Sequence, residues 1–105
     1  MVVDKYLIAD VGATNARFRL LTGNEAQSAL LVVESAAHET AKELVLSAKK
    51  SLGFDEISGA LLAVAGPVDQ GLGTAVVTNT GHRFDVEELT AELHCPVWLE
   101  NDFVA

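Results

Sequence analysis

The sequence predicts an α/β domain in which helices pack on one mixed sheet, with elements in the order β-β-β-α-β-β-α-β. Tight turns join the first three predicted strands, which favours antiparallel pairing, whereas helices separate the later strands, which favours parallel pairing. The length of 105 residues suits one domain. Half of the residues are hydrophobic and 21% are charged, so the chain can bury a core.

The predicted strands are short apolar or alternating runs bounded by turn residues. Residues 5–10 form an apolar run closed by an acid, and residues 16–21 alternate so that Arg17 and Arg19 share one face. Trp98 is predicted to lie in the core because it belongs to an apolar strand. The predicted strands are 5–10, 16–21, 28–33, 57–65, 74–78 and 97–100, with a turn at 69–73.

Two helices are predicted from capping boxes, in which a polar residue caps the first turn and an acid stands three residues later. In the first helix, apolar residues recur at the spacing of one buried face. Each helix is followed by a residue that stops it, a glycine or a proline. These signals are Thr40, Glu43 and Gly53 for the first helix, and Asp85, Glu88 and Pro96 for the second.

Charge and hydropathy exclude several kinds of partner. Seven basic residues against fifteen acidic ones give a net charge of −8, which disfavours the clustered phosphate contacts of a nucleic-acid-binding protein. No apolar run approaches the roughly 20 residues that span a membrane. The first residues lack the basic and apolar regions of a secretory signal, so we expect a cytoplasmic protein.

The cysteine and the histidines predict neither a disulfide nor a metal centre. Cys95 is the one cysteine of the chain, and its apolar neighbours predict a buried thiol. His38, His82 and His94 lack the spacing of metal ligands, so we expect surface or capping roles for them.

The first candidate site is the turn between the first two strands. Gly12 lacks a Cβ and lets backbone N–H groups turn toward one anion, as in phosphate-binding loops. Thr14 and Asn15 add side-chain donors, and Asp10 can hold Mg²⁺ through water. An ordinary hairpin with an acidic end explains the same residues.

The second candidate site is Asn101-Asp102, directly after the last strand. Ligands of open α/β sheets collect at the carboxyl ends of parallel strands. A carboxylate there can accept the proton of a hydroxyl that attacks phosphorus, and an Asn can both donate to and accept from a sugar hydroxyl. Asn-Asp is also a common turn dipeptide, and that alternative stays open.

A third candidate comprises Gly66-Pro67-Val68-Asp69 with Thr78-Asn79. Gly66 permits the close approach of a ligand or of backbone, and Pro67 stiffens the turn. Hairpin chemistry explains these residues equally well.

Taken together, these motifs resemble the N-terminal domain of bacterial glucokinase, over essentially all 105 residues. That family belongs with other sugar kinases, acetate kinases, Hsp70 chaperones and actins, so the resemblance implies a ribonuclease H-like fold and one lobe of a two-lobe kinase. The shorter Asp-x-Gly-x-Thr pattern would indicate only the larger group. The segments that carry the resemblance are Asp10–Arg17, Ala65–Pro67, Thr78-Asn79 and Glu100–Phe103.

The resemblance implies roles for particular residues. Asp10, Gly12, Ala13, Thr14 and Asn15 belong to the first ATP-phosphate loop, and the cofactors are ATP and Mg²⁺. Asp102 is the base that accepts the proton of the glucose 6-hydroxyl. Asn101 hydrogen-bonds the sugar, and Asn79 lies near the sugar cleft.

The sequence departs from the family pattern in three ways. The family usually has Gly where Ala13 stands, and commonly Trp where His82 stands. Its enzymes also carry a second, larger domain with a Glu-x-x-His element, which does not occur in these 105 residues. We therefore expect residues 1–105 to be one lobe, and this chain alone to be inactive.

Other functions remain open at this point. One is a kinase for another hexose or for an N-acylated sugar. A second is a non-catalytic sugar-sensing domain, although such proteins carry a DNA-binding segment before the phosphate loop, which here begins at Asp10. A third is a domain that acts by protein contact. Glucose and ATP are the expected partners, and a homodimer of the complete protein is compatible with the resemblance.

Overall fold

A computed structural model describes residues 4–22, 30–78 and 80–101, and within them it contains eight strands and two α-helices. The predicted α/β class is confirmed. In chain order the elements are β1 (Lys5–Val11), β2 (Asn15–Thr22), β3 (Leu31–Glu34), a 3-10 turn (Ser35–Ala37), α1 (Ala41–Leu52), β4 (Gly59–Val64), β5 (Val68–Asp69), β6 (Thr74–Val76), β7 (Arg83–Asp85), α2 (Val86–Leu93) and β8 (Val97–Asn101).

Five strands form a mixed sheet in the order β3-β2-β1-β4-β8. β2 pairs antiparallel with both β1 and β3, whereas β4 pairs parallel with both β1 and β8. Parallel neighbours need a crossover connection, and the chain passes through α1 before β4 and through α2 before β8. The predicted pairing, antiparallel first and parallel later, is therefore confirmed.

β5, β6 and β7 form a separate antiparallel sheet that the sequence did not predict. The sequence predicts a strand of the main sheet at residues 74–78 and a turn at residues 69–73. Strands of two or three residues are too short to show a hydrophobic period, so β5 and β7 were missed. The third predicted strand, 28–33, is observed at Leu31–Glu34, with residues 28 and 29 outside the described part of the chain.

The hydrophobic core lies on one face of the five-stranded sheet. In β1, Leu7, Ala9 and Val11 are buried, and they belong to one cluster with Leu44 of α1 and Leu89 of α2. Alternate residues of a strand point to opposite faces, so the residues between them turn away from this cluster.

Trp98 corrects one sequence prediction, because its side chain is 51% exposed instead of lying in the core. Its neighbours Val97 and Leu99 are buried, so the alternation of β8 sends Trp98 to the opposite face. There it lies over Gly59, where an added Cβ would come within 2.7 Å of the indole ring. A side chain at position 59 would displace the tryptophan.

The predicted start and end of α1 are confirmed. Thr40 Oγ1 accepts a hydrogen bond from the Glu43 N–H at 3.1 Å, and Gly53 adopts the left-handed conformation with φ of 71°. The reciprocal bond of the capping box is shifted by one residue, because the Glu43 carboxylate accepts from the N–H of Glu39.

α2 begins as predicted and ends earlier. Asp85 Oδ1 accepts from the N–H groups of Glu87 and Glu88, at 2.9 and 3.4 Å. The helix ends at Leu93, before Pro96 is reached, because His94 takes a left-handed φ of 56° and donates its N–H to the Thr90 carbonyl. His94 therefore has the capping role expected for it.

Candidate functional site

The carboxyl ends of the three parallel strands meet at one edge of the main sheet. Val11 of β1 lies opposite Val64 of β4, and Val64 lies opposite Asn101 of β8. The turn after β1 and the segment after β4 therefore leave the sheet side by side, and β8 ends level with them. We call this the carboxyl edge.

The turn after β1, residues 12–15, is a tight hairpin. The Gly12 N–H donates to the Asn15 carbonyl at 2.9 Å, and a Cβ at position 12 would lie 3.2 Å from that oxygen. The Gly12 amide is thus used inside the hairpin and is not directed toward a ligand. Among the described residues, the N–H groups of Ala13 and Thr14 take no part in the backbone hydrogen bonds of the turn.

Ala13 shows how the hairpin accommodates a methyl group. Its side chain is half-buried and packs against the hydrophobic core. Thr14, the next residue, is exposed. The hairpin therefore accommodates a Cβ at position 13 by packing it against the core.

Ser35, which the sequence analysis did not identify, holds the hairpin from the adjacent 3-10 turn. Its hydroxyl donates to the Gly12 carbonyl at 2.7 Å, and its N–H donates to the Thr14 carbonyl at 2.9 Å. Ser35 itself is fully buried, and its hydroxyl bond to Gly12 is partly buried. The local sequence around residue 35 carries no motif, and only the fold reveals this contact.

Asp10 lies one residue before the end of β1, on the face away from the core. Its carboxylate is exposed, and its register partners are Arg17 on β2 and Ala63 on β4. An exposed carboxylate beside a hairpin with two N–H groups outside its backbone hydrogen bonds is compatible with hydrated Mg²⁺ near a phosphate. Asn15 is half-buried opposite Glu34 of β3.

The segment after β4 crosses closely over the chain that follows β6. The Ala65 N–H donates to the Val11 carbonyl at 2.9 Å, which extends the contact between β1 and β4. A Cβ at Gly66 would lie only 1.7 Å from the Val76 carbonyl oxygen. Of the two explanations left open for Gly66, close approach of backbone therefore applies. The Thr78 N–H donates to the Ala65 carbonyl at 3.2 Å and brings the next turn to the carboxyl edge.

That turn, residues 77–82, is closed by two backbone hydrogen bonds. The Val77 N–H donates to the His82 carbonyl at 2.9 Å, and the Gly81 N–H donates to the Val77 carbonyl at 2.8 Å. Gly81 has a φ of 77°, a conformation that favours glycine. Asn79, the predicted sugar-binding residue, lies outside the described residues.

His82 corrects a second prediction, because it is buried and not a surface residue. Its Nε2 lies 2.7 Å from the His38 carbonyl oxygen, and its Nδ1 lies 2.6 Å from Thr80 Oγ1. The imidazole therefore joins the 77–82 turn to the segment between the 3-10 turn and α1.

Asn101 is half-buried at the end of β8 and is the last residue of the chain that the structure describes. Asp102, the predicted base, lies beyond it, outside the described residues. The roles of Asn79, Asn101 and Asp102 therefore stay predictions.

Two other features lie apart from the carboxyl edge. A surface depression of about 300 Å³ is lined by residues around Lys49 and Phe54. It lies at the end of α1, which leads into the start of β4, and so belongs to the opposite edge of the sheet. Within the ranges that the structure describes, no three potential His, Cys, Asp or Glu ligands cluster as a metal site, and no helix is long and apolar enough to cross a membrane.

Comparisons with known proteins identify glucokinases among the relatives of this chain. The family model described as Glucokinase matches residues 7–105. A bifunctional protein glk from Burkholderia orbicola (strain AU 1054) is 34% identical over 94% of this chain, and a glucokinase from Marinobacter nauticus is 36% identical over 83% of it. The crystal structure of a glucokinase from an Antarctic psychrotroph superposes with a TM-score of 0.79 and 29% identity over 95% of this chain.

These relatives are much longer than the chain. It spans 15% of the Burkholderia protein, 27% of the Marinobacter protein and 33% of the crystallised enzyme. The matched region corresponds in each case to a minor part of the relative.

Proposed function

The chain belongs to the glucokinase family, and on that premise we propose that it forms the lobe of an ATP-dependent sugar kinase that binds the ATP phosphates and the sugar. In the complete protein, the γ-phosphoryl group of ATP is transferred to the 6-hydroxyl of glucose. The second lobe, which the resemblance implies, supplies the remainder of the nucleotide site.

One observation carries this proposal: the 12–15 hairpin and the end of β8 leave the same edge of the sheet, separated by β4 alone. Neighbouring strands lie about 4.8 Å apart, so Val11 and Asn101 are separated by about 10 Å across the sheet. A phosphate donor held at the hairpin and a hydroxyl held beyond Asn101 would fit within that span. Phosphoryl transfer needs such positioning of both reactants more than it needs covalent chemistry by the protein.

The hairpin is assigned to the phosphates of ATP. The proposed donors are the hydroxyl of Thr14 and the N–H groups of Ala13 and Thr14, which take no part in the backbone hydrogen bonds of the turn, while Ser35 bonds to the carbonyls of Gly12 and Thr14. Asp10 would hold Mg²⁺ through water, and the bound ion neutralises charge on the phosphates. Asn15, the last residue of the loop, adds a side-chain donor.

The sugar is assigned to the residues that follow β8 and β6. Asp102 accepts the proton of the attacking hydroxyl, and Asn101 binds a sugar hydroxyl through its amide, which both donates and accepts. Asn79 contributes to the same cleft from the 77–82 turn. This assignment rests on the family resemblance of these residues and on the position of Asn101 at the carboxyl edge.

The test is a pair of neighbouring substitutions in the complete protein. Asp102→Asn keeps the shape of the side chain and a hydrogen bond to the sugar but cannot accept a proton. We expect kcat to fall by about 10²- to 10⁴-fold with little change in glucose affinity, as measured by a coupled assay and by calorimetry. Asn101→Ala is the matched control and should mainly raise the KM for glucose.

Three outcomes would contradict the proposal. A near-normal kcat in Asp102→Asn would make Asp102 a turn residue. A complete protein that prefers another hexose or an N-acylated sugar by kcat/KM would retain the mechanism but replace the substrate. A protein that binds sugar without consuming ATP would favour the sensing alternative.

A further inference from the structure

His82 is a buried polar side chain whose two ring nitrogens both have partners. It lies at the end of the 77–82 turn, and neither of its contacts is required by the backbone geometry of that turn. The Nε2 contact reaches the carbonyl of His38, 44 residues earlier in the chain. This partly buried hydrogen bond holds together two segments that lie far apart in the sequence.

The partners determine which ring nitrogen carries the proton. A backbone carbonyl only accepts, so the bond to His38 requires a proton on Nε2. Thr80 Oγ1 accepts from the His82 backbone N–H at 3.3 Å and, in the neutral ring, donates its own proton to Nδ1. Every polar group of this cluster is then satisfied in one arrangement, the Nε2–H tautomer.

The segment that His82 reaches is itself bonded to the hairpin. His38 follows Ser35 by three residues, and Ser35 holds the carbonyls of Gly12 and Thr14. Residues 35–38 are therefore attached at one end to the 12–15 hairpin and at the other to the 77–82 turn. Of the hydrogen bonds within the described part of the chain, the one from His82 Nε2 joins that turn to this segment.

We propose that His82 is a positioning residue that fixes the 77–82 turn relative to the 12–15 hairpin, and that it thereby sets the affinity of the site for its sugar. The fixing of the turn is argued from the contacts alone, whereas the effect on sugar affinity rests on the proposed function. The Thr78 N–H bond to Ala65 anchors the start of the turn, and His82 anchors its end.

The kinetic test uses three variants of the complete protein. His82→Phe fills a similar volume without a donor, and we expect the KM for sugar to rise about tenfold, the effect of losing one buried hydrogen bond. The KM for ATP and kcat should change less than threefold. His82→Gln restores a side-chain N–H toward the His38 carbonyl and should recover most of the sugar affinity. Thr80→Val removes the hydroxyl that orients the ring and should have an intermediate effect.

The hydrogen bond from His82 to the His38 carbonyl is tested without any assay of activity. Nitrogen NMR of the His82 ring in the unsubstituted chain should show the Nε2–H tautomer. Amide hydrogen exchange at Gly81 should accelerate about tenfold in His82→Phe. His38→Ala keeps the backbone carbonyl, so exchange at Gly81 should remain as in the unsubstituted chain.

The results separate the two proposals. The Nδ1–H tautomer, or unchanged exchange at Gly81 in folded His82→Phe, would overturn the positioning role. Sugar and ATP KM values that rise in equal proportion would also overturn it, because a general loss of structure acts on both. If the proposed function fails, the unsubstituted complete protein will show no sugar-dependent consumption of ATP. The NMR and hydrogen-exchange data will still show whether His82 holds the 77–82 turn.

Discussion

Gly66→Ala tests the close crossing at the carboxyl edge. The added Cβ would lie 1.7 Å from the Val76 carbonyl oxygen and 2.8 Å from the carbonyl carbon, whereas ordinary contact begins near 3.4 Å. Both atoms belong to backbone, so no side chain can turn aside to make room. One of the two crossing segments must therefore move by well over an ångström.

Such a movement disrupts the hydrogen bonds on either side of the crossing. The bonds from Thr78 N–H to Ala65 and from Val76 N–H to Pro67 are both 3.2 Å long and have little length to spare. Losing two bonds costs about 2 kcal/mol, and the strain of overpacking adds about 1 to 3 kcal/mol. The expected destabilisation is about 4 kcal/mol, or about 20 °C in Tm for a domain of this size.

Urea unfolding followed by far-ultraviolet circular dichroism measures this loss, and thermal melts give the Tm. Gly71→Ala is the matched control, because its Cβ would meet only Asp69 Oδ1, a side-chain atom, at 3.3 Å. We expect the control to stay within about 0.5 kcal/mol of the unsubstituted chain. A loss below about 1 kcal/mol for Gly66→Ala would refute the crossing described above.

Three further predictions concern the activity of the chain alone, the residue His94 at the end of α2, and the buried thiol of Cys95. The 105-residue chain alone should show no sugar phosphorylation with ATP and Mg²⁺, because phosphoryl transfer needs a closed cleft; turnover near the ~10 s⁻¹ of typical enzymes would contradict this. His94→Gly should raise the free energy of unfolding by about 0.5 to 1 kcal/mol, because glycine relieves the left-handed φ of 56° at an exposed position, and an unchanged urea midpoint would contradict it. Burial raises the pKa of the Cys95 thiol, so the folded chain should react with a thiol reagent at neutral pH far more slowly than the chain in urea; equal rates would show that the thiol is exposed.

Local interactions explain why much of the fold could be predicted. The caps of α1 and α2 depend on contacts within four residues, such as Thr40 with Glu43 and Gly53 with Lys49. Strand alternation around Arg17 and the tight turn at Gly12 are likewise properties of neighbouring residues. The α/β class and the change from antiparallel to parallel pairing in the main sheet follow from these signals and from the lengths of the connections, whereas the strand order does not.

The candidate site was predictable only in part. The motif residues from Asp10 to Asn15 are contiguous, and their position at the end of a strand follows from the sequence. The sequence did not reveal that the Gly12 amide is consumed within the hairpin, because its acceptor is a backbone carbonyl without a sequence signature. It also could not reveal Ser35, whose partners lie more than twenty residues away.

Tertiary structure alone decided which residues are buried and which form hydrogen bonds between distant segments of the chain. His82 is a structural link because the fold brings the His38 carbonyl oxygen within 2.7 Å of its Nε2. Trp98 is exposed because, in the described part of the chain, the two helices pack on the face that Val97 and Leu99 share. The split of β6 from the main sheet has the same origin. Local sequence determines which way a side chain alternates and where a helix is capped, whereas burial depends on what other segments of the chain are packed against that side chain.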